Sequence, residues 1–321
     1  MAYSENYINT YNKYIAQGWY GNAISSDRLE RWNRNFVALP EDKFDDDPKI
    51  CAHYLLHSLI YYQDKQLESI IHGIANKIIS VINQKEEQRL GRRLKENELA
   101  DAWEMYKKDT CIIPASNPES VSDSAHHAIR LWRNILGLET RSILELDTVV
   151  QTKQHIFFVD DMIGTGKKIT SFFKEQKINT NDAGSENLYD YIKKHKDETD
   201  FNIAVFAIYC EGFNVLINNY DAINCYFGDY YNEDYDLLSN ECVFFDLFDD
   251  RKEFIINYIS KQLDKLEYNE EYVRNLPISF QEGCPNNTLP LYYISNSEWT
   301  NLLNEGHPDR KKRSFTNENT I

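Results

Sequence analysis

The sequence lacks an excess of basic residues: 35 Lys and Arg stand against 51 Asp and Glu, which gives a formal net charge of −16. Binding along a nucleic-acid backbone needs clustered Lys and Arg that displace counterions from the phosphates. A broad basic nucleic-acid surface is therefore not expected. The densest basic cluster, at 310–313, lies in a polar C-terminal tail, where a solvated chain end is the expected structure.

Long apolar runs and paired cysteines are also lacking. No stretch approaches the roughly 18 apolar residues that span a bilayer, and the first residues show neither a basic start nor an apolar run. The six cysteines are widely spaced, without a CxxC pair or a histidine spacing typical of zinc sites. The sequence thus predicts no membrane segment, buried reduced thiols and a cytoplasmic location.

Apolar and aromatic side chains, in contrast, are abundant. Hydrophobic residues make up 42% and aromatic residues 13% of the chain, which excludes a disordered protein. A chain of 321 residues exceeds the usual size of one domain. We therefore expect either one domain with a large extension or two domains.

Residues 1–108 show apolar side chains at the three- and four-residue spacing of amphipathic helices. Asp47 before Pro48 is a typical helix start. His53 and His57 have the spacing of a metal-binding pair, but no third ligand is evident, so ordinary helix-face histidines are expected. The pattern predicts a helical N-terminal region with helices near 3–16, 27–37, 48–62, 65–83 and 86–107.

After residue 108 strands alternate with helices, which indicates an α/β domain with a parallel sheet. The fully apolar segment 155–159 is typical of a central strand, and it is expected to end at Asp160 and Asp161. Further strands are predicted at 111–115, 202–209, 223–227 and 242–245, and helices at 124–136, 168–175, 186–196 and 250–266.

The segment IFFVDDMIGTGKKI at 156–169 carries the strongest chemical signal. A buried strand presents Asp160 and Asp161 at its carboxyl end, where open α/β sheets bind ligands. Gly164 and Gly166 then allow backbone N–H groups to converge at the start of a helix, whose dipole favours a phosphate. Sugar hydroxyls on the acids and a phosphate in the loop are the expected ligand groups.

Two common nucleotide loops do not fit this segment. A Walker A loop needs glycine five positions before the Gly166-Lys167 pair, and that position is Asp161. The Rossmann fingerprint needs glycine at position 169, which is Ile169. Both nucleotide loops are therefore excluded.

The segment resembles the phosphoribosyl diphosphate signature of type I phosphoribosyltransferases, which has four apolar residues, two acids, two mostly apolar residues and a loop with threonine and glycine. The resemblance implies a parallel sheet with helices on both faces. It implies that Asp160 and Asp161 bind the ribose hydroxyls and act as the catalytic and metal-binding residues, with Mg²⁺ as cofactor. It also implies that the 5′-phosphate is held by Ile163, Gly164, Thr165, Gly166, Lys167 and Lys168.

In that family the bond between C1 of ribose and the diphosphate breaks through an oxocarbenium-like state, and Mg²⁺ offsets the charge of the leaving group. Two positions depart from the pattern. Gly164 stands where many members have Asp or Thr, and Lys168 stands where threonine is usual. Both departures favour phosphate binding over chemistry on a nucleobase.

The family also has an earlier loop that binds diphosphate. The matching segment here is 116–124, in which Ser116 and Asn117 are the candidate diphosphate ligands. Capping of the following helix by Ser122 or Asp123 is an equally good interpretation of this segment.

A second segment, CPNNTLPLYY at 284–293, is followed by Trp299. Together with Trp19, Trp32 and the helical N-terminal region, it resembles the phosphoribosyltransferase-like proteins of bacterial conflict systems, including retron-associated ones. The hood of type I enzymes selects the acceptor, and this segment is the candidate for it. The alternative is a proline-rich turn that packs aromatic residues into the core.

The sequence thus predicts three regions: a helical region at 1–108, a phosphoribosyltransferase-like α/β domain at 109–270, and a hood-like segment with a polar tail at 271–321. The expected function is transfer or cleavage of a ribosyl group in antiviral defence. The expected partners are phosphoribosyl diphosphate or a related ribose phosphate, and a protein or a reverse-transcriptase nucleoprotein. The alternative is a protein without catalysis that senses sugar phosphates or serves as a structural partner in a defence complex.

Overall fold

The computed structural model describes residues 24–39, 47–116, 124–180, 184–268, 270–281 and 283–303. Its contacts divide the chain into two compact units. One unit is Asp64–Tyr231, and the other combines Met1–Gln63 with Asn232–Ile321. The boundaries expected from the sequence, at 108 and 270, differ from these, because residues 64–108 share their contacts with the α/β unit and residues 232–270 share theirs with the other unit.

Three elements of the first segment are helices α1 (Ser26–Asn33) and α2 (Lys49–Ser58) and strand β1 (Ile60–Tyr62). The α/β unit contains α3 (Asp64–Leu90), α4 (Glu96–Lys108), β2 (Thr110–Pro114), α5 (Ser124–Leu136), β3 (Glu139–Thr140), α6 (Leu146–Thr152), β4 (His155–Ile163), α7 (Lys167–Glu175), β5 (Lys177–Thr180), β6 (Gly184–Asn187), α8 (Leu188–His195), β7 (Asp200–Tyr209), α9 (Cys210–Asn219) and β8 (Asn224–Tyr231). The last segment contains α10 (Lys252–Leu263) and β9 (Ile278–Phe280).

The α/β unit is built on a five-stranded sheet in the order β3-β2-β4-β7-β8. All of its strand pairs are parallel, as the alternation of strands and helices predicts. The chain order reverses between β2 and β4, so the carboxyl ends of these two strands form the switch point at which open α/β sheets bind ligands. The predicted phosphoribosyltransferase-like fold is confirmed.

Helices cover both faces of this sheet. Successive side chains of β4 point to opposite faces, and apolar side chains on both faces need a helix to bury them. Phe158 packs edge-on against Phe172 and Phe173 of α7, with ring centroids 5.3 and 5.6 Å apart. Phe157 lies on the other face, where its ring is 6.4 Å from that of Trp132 in α5. The apolar part of β4, residues 156–159, is therefore buried on both sides, as a central parallel strand should be.

Strand β4 is longer than its apolar sequence suggests, because it continues through the acidic pair to Ile163. Its neighbour β7 supplies the partners: Asp160 pairs with Val205, and Ile163 pairs with Ile208. The two acids thus belong to the paired carboxyl-terminal part of the strand, and only the residues after Ile163 form the loop. This geometry holds the backbone of both acids more firmly than a loop would.

Several other elements differ from the prediction. The segment 242–245 is not a strand; Val243–Leu247 form a short 3-10 helix, in which the ring of Phe245 stacks on Tyr54 at 4.6 Å. The helix expected at 48–62 ends at Ser58, and β1 follows. The polar insertion near 178–186 includes the antiparallel pair β5 and β6. The helix predicted at 3–16 lies outside the described residues.

The unit that combines both ends of the chain has its own aromatic core. Trp32, Tyr54, Tyr258 and Tyr292 are almost fully buried in it, and Phe36 packs edge-on against Trp299 at 5.4 Å. Strand β1 pairs in parallel with β9, so segments more than 200 residues apart share backbone hydrogen bonds. The proline-rich segment at 284–293 therefore packs its aromatic residues into a core, as the alternative interpretation predicts.

Within the described ranges, no helix combines the length and the apolar character needed to cross a membrane. All six cysteines are free thiols, five of them buried and Cys225 partly exposed.

Candidate functional site

The candidate site lies at the carboxyl end of β4, where the chain turns from Ile163 into α7. Gly166 is the residue before the first turn of this helix and has a φ of 77°, in the left-handed region that favours glycine. Helix α7 begins at Lys167 and is nine residues long. Its first N–H groups lack partners within the helix and favour an anion.

Helix α9 presses against this loop and leaves no room for side chains at two glycines. A Cβ on Gly166 would lie 2.9 Å from the Cβ of Val215, and one on Gly212 would lie 2.5 Å from Cγ2 of Ile163. Neither Gly212 nor Val215 was predicted to take part, because no local pattern shows which residues approach the loop from a later helix. The close packing fixes the path of the loop backbone.

Asp160 is almost fully buried, with 3% of its surface exposed, and several donors surround its carboxylate. Oδ1 accepts hydrogen bonds from the backbone N–H of Asp161 at 2.9 Å and from the hydroxyl of Ser124 at 3.4 Å. Nζ of Lys168 lies 2.8 Å from Oδ2. The first acid of the pair therefore ties together β4 and the first turns of α5 and α7.

Asp161 is in a different environment. It is partly exposed, and its Oδ1 accepts a hydrogen bond from the backbone N–H of Met162 at 2.7 Å. No ion pair to Asp161 is present among the described side chains. Of the two acids, Asp161 is thus the one whose carboxylate is available to a ligand.

The remaining predicted site residues lie in two places, the loop after β4 and the segment after β2. Gly164 and Thr165 are partly exposed on the loop, Lys167 is exposed, and Ile163 is buried in the core of the α/β unit. Ser116 follows β2 and is 2% exposed, whereas Asn117 lies outside the described residues. The structure therefore brings the acidic strand end and the predicted phosphate loop together, and the predicted diphosphate loop is described only at its ends.

A cavity of about 230 Å³ opens beside Ser116, at the carboxyl ends of β2 and β3. The hydroxyl of Thr140 on its wall is buried and has no hydrogen-bond partner among the described residues. The guanidinium of Arg141, also on the wall, is held by Glu139 and Glu145. Polar groups thus line the space next to the predicted diphosphate loop: Ser116, His126, Thr140, Arg141 and Ser142.

A metal ion at this site would need several ligand atoms that converge on one point. No group of three or more His, Cys, Asp or Glu side chains in the described ranges could hold one. At Asp160 the ammonium of Lys168 already occupies the position that a cation would take. The arrangement therefore does not fit Asp160 as a metal ligand, and the assignment of Asp161 stays a prediction.

The His53 and His57 pair lies in an apolar environment. The ring of Phe248 is 5.3 Å from that of His53 and 6.0 Å from that of His57. Burial, and secondarily the neighbouring His57, lowers the pKa of His53 from 6.5 to about 4. The pair belongs to the packing of α2, as expected of helix-face histidines.

The strand order, the switch point between β2 and β4, and the acidic strand end followed by a glycine loop define a type I phosphoribosyltransferase-like protein. The model of the PRTase-CE family matches residues 29–304, which is most of the chain. The chain belongs to the PRTase-CE family, and the predicted resemblance to phosphoribosyltransferase-like proteins is confirmed. The comparison with curated proteins gave no match.

Proposed function

We propose that this protein binds phosphoribosyl diphosphate, or a related ribose phosphate, and transfers or cleaves the ribosyl group. The observation that carries the proposal is the acidic end of β4 joined to the tightly packed glycine loop at the switch point of the sheet. This arrangement offers carboxylates for sugar hydroxyls and backbone N–H groups for a phosphate within one continuous segment.

The phosphate end of the ligand is assigned to the loop. The backbone N–H groups at the start of α7 favour an anion, and the hydroxyl of Thr165 adds a neutral donor. Because Gly166 and Gly212 hold the loop against α9, its donors keep their positions without a ligand. Such preorganisation lowers the entropic cost of binding.

The ribose end is assigned to the acids. Asp161 would accept hydrogen bonds from the ribose hydroxyls, while Asp160 positions the loop through Lys168 and α5 through Ser124. In the reaction, the bond between C1 and the diphosphate oxygen breaks, and its electron pair leaves with the diphosphate. A lone pair of the acceptor, or of water in the case of cleavage, forms the new bond to C1, and the proton of that nucleophile passes to solvent. The carboxylate of Asp161 would stabilise the positive charge that develops on the ribose ring.

Magnesium enters this proposal as part of the substrate, the magnesium complex of phosphoribosyl diphosphate, since Asp160 does not fit a metal ligand. The cavity beside Ser116 is the proposed room for the diphosphate end.

A second candidate function is binding without catalysis, as a sensor of sugar phosphates or a structural partner. Gly164 favours it, because this position has no side chain that could move a proton on a nucleobase. The ion pair between Lys168 and Asp160 favours it as well, because one of the two acids is already neutralised.

The two candidates separate in a single assay. The protein is incubated with magnesium phosphoribosyl diphosphate and a pool of nucleobases, nucleotides and nucleic acids, and release of diphosphate is measured. Release that is lost in Asp161→Asn, but kept in the exposed control Asp101→Asn, supports catalysis. A ligand-induced rise in melting temperature without any release of diphosphate supports binding alone. If neither release nor a rise in melting temperature is observed, catalysis and sugar-phosphate binding are both refuted.

We further propose a role in bacterial antiviral defence, with a protein or a reverse-transcriptase nucleoprotein as partner. The support is the resemblance to proteins of conflict systems, carried by the aromatic N-terminal region and the segment 284–293. A reverse transcriptase gene next to the gene for this chain is the expected observation. Phage infection assays with and without Asp161→Asn test the role directly, and equal protection by both would contradict a role for the site.

A further inference from the structure

Lys168 stands in the first turn of α7, at a position where type I signatures usually have threonine, and its ammonium pairs with the first acid of the site. Nζ lies 2.8 Å from Oδ2 of Asp160. The side chain of Asp160 is 4% exposed, whereas that of Lys168 is 46% exposed. The lysine thus reaches from the surface onto a buried carboxylate.

A buried carboxylate is costly unless a positive charge or strong donors compensate it. The donors to Asp160 within the described ranges include the N–H of Asp161, the hydroxyl of Ser124 and the ammonium of Lys168, and of these three the ammonium carries a full charge. The two acids and Lys168 together bear one net negative charge. An anionic sugar phosphate is therefore repelled less than it would be by two uncompensated carboxylates.

We propose that Lys168 is a built-in counterion of the acidic pair, which makes binding at the ribose end independent of a divalent cation. The inference rests on the proposed function, since it concerns how the same site accepts a ribose phosphate. It assigns Lys168 as a positioning residue and Asp161 as the acid that contacts the sugar. A divalent cation at Asp160 would have to displace the ammonium.

The first test measures binding of ribose 5-phosphate by calorimetry, with EDTA and with Mg²⁺. This probe lacks the diphosphate, so a metal effect on its binding reports on the acids alone. The wild type should bind with the same affinity in both buffers. Lys168→Met should bind about tenfold more weakly in EDTA and should recover with Mg²⁺, because the cation then replaces the lost charge.

Lys174→Met is the matched control, because it removes the same charge from an exposed position in the last turn of the same helix, outside the loop and the acidic pair. Lys168→Thr, which introduces the residue usual in type I signatures, is the second variant in case the methionine disturbs folding. Thermal melts check that both Lys168 variants are folded. Equal effects of Lys174→Met and Lys168→Met would overturn the proposal. It would also be overturned if the wild type bound ribose 5-phosphate tenfold more tightly in Mg²⁺ than in EDTA.

The second test needs no sugar and measures binding of Mn²⁺ alone by electron paramagnetic resonance. The wild type should leave Mn²⁺ free at concentrations at which Lys168→Thr binds it, and adding Asp160→Asn to that variant should abolish the binding. If the wild type fails to bind ribose 5-phosphate, the proposed function fails, but the Mn²⁺ titration still tests whether Lys168 is the counterion. Equal Mn²⁺ binding by the wild type and Lys168→Thr would overturn the counterion proposal.

Discussion

Gly212 in α9 lies directly against Gly164 in the phosphate loop: a Cβ on Gly212 would be 2.5 Å from Cγ2 of Ile163 and closer still to the carbonyl oxygen of Gly164. A backbone carbonyl cannot rotate away as a flexible side chain can. The position of the loop therefore depends on the absence of one methyl group in a later helix.

Gly212→Ala should displace the loop and weaken ligand binding. Overpacking of this kind costs about 1–3 kcal/mol of stability, and the displaced N–H groups no longer converge on a phosphate. Calorimetry with ribose 5-phosphate and urea unfolding measure the two effects. Gly73→Ala is the matched control, because a Cβ at Gly73 in α3 has no neighbour within 4 Å. Unchanged ligand affinity in Gly212→Ala would contradict the assigned role of the loop.

The two acids of the site should differ in their effect on stability. Asp160→Asn removes a carboxylate that accepts bonds from Asp161, Ser124 and Lys168, so it should destabilise the protein by about 1.5–3 kcal/mol, as expected for hydrogen bonds to a charged group. Asp161→Asn keeps an oxygen for the N–H of Met162 and should cost less than about 1 kcal/mol.

Urea unfolding of both variants, together with thermal shifts on addition of ribose 5-phosphate, tests this division of roles. We expect Asp161→Asn to remain stable and to lose the ligand-induced shift. A larger loss of stability in Asp161→Asn than in Asp160→Asn would show that the acids exchange the roles assigned to them.

The local sequence of 156–169 was enough to predict the buried strand, the acidic pair and the loop at the start of a helix. Each of these features depends on residues close in sequence: apolar β-formers, adjacent carboxylates and glycines. The extension of β4 to Ile163 could not be predicted in this way, because the pairing with Ile208 of β7 decides it. The contact of Gly212 with the loop is likewise a tertiary effect.

The division of the chain into two units could not be predicted either, because it also depends on tertiary contacts. Helices α3 and α4 carry the same amphipathic pattern as α1 and α2, so the pattern predicts one helical region up to residue 108. The contacts instead separate the chain at 63/64, and the parallel pairing of Ile60 with Ile278 links the two chain ends. A pairing across more than 200 residues leaves no periodic signal.

Tyr292 connects the proline-rich segment to α2. Its buried hydroxyl donates a hydrogen bond of 2.6 Å to the carbonyl oxygen of Leu55. Tyr292→Phe should destabilise the protein by about 0.5–1.5 kcal/mol, because the buried carbonyl of Leu55 loses one of its two donors and keeps only the N–H of Leu59. Urea unfolding measures the loss. Tyr230→Phe, at an exposed position, is the control, and equal stabilities of the two variants would argue against a structural role of the hydroxyl.

The half-buried histidines of α2, His53 and His57, should make stability depend on pH. Burial lowers the pKa of His53 from 6.5 to about 4 and also lowers the pKa of His57. As the pH falls below 6.5, the unfolded chain binds protons at these rings before the folded protein does, so the folded state loses stability down to about pH 4.

His53→Gln with His57→Gln should therefore flatten the dependence of the unfolding free energy on pH between 6.5 and 4, relative to the wild type. Each histidine contributes at most about 1.4 kcal/mol per pH unit to this slope. The measurement is urea unfolding of both proteins at half-unit steps of pH. Because the wild type and the double variant share their carboxylates, the difference between the two slopes reports on the histidines. His72→Gln, at an exposed position of α3, is the control for the loss of an imidazole. If the double variant retains the wild-type slope, the histidines are not the groups that titrate on unfolding.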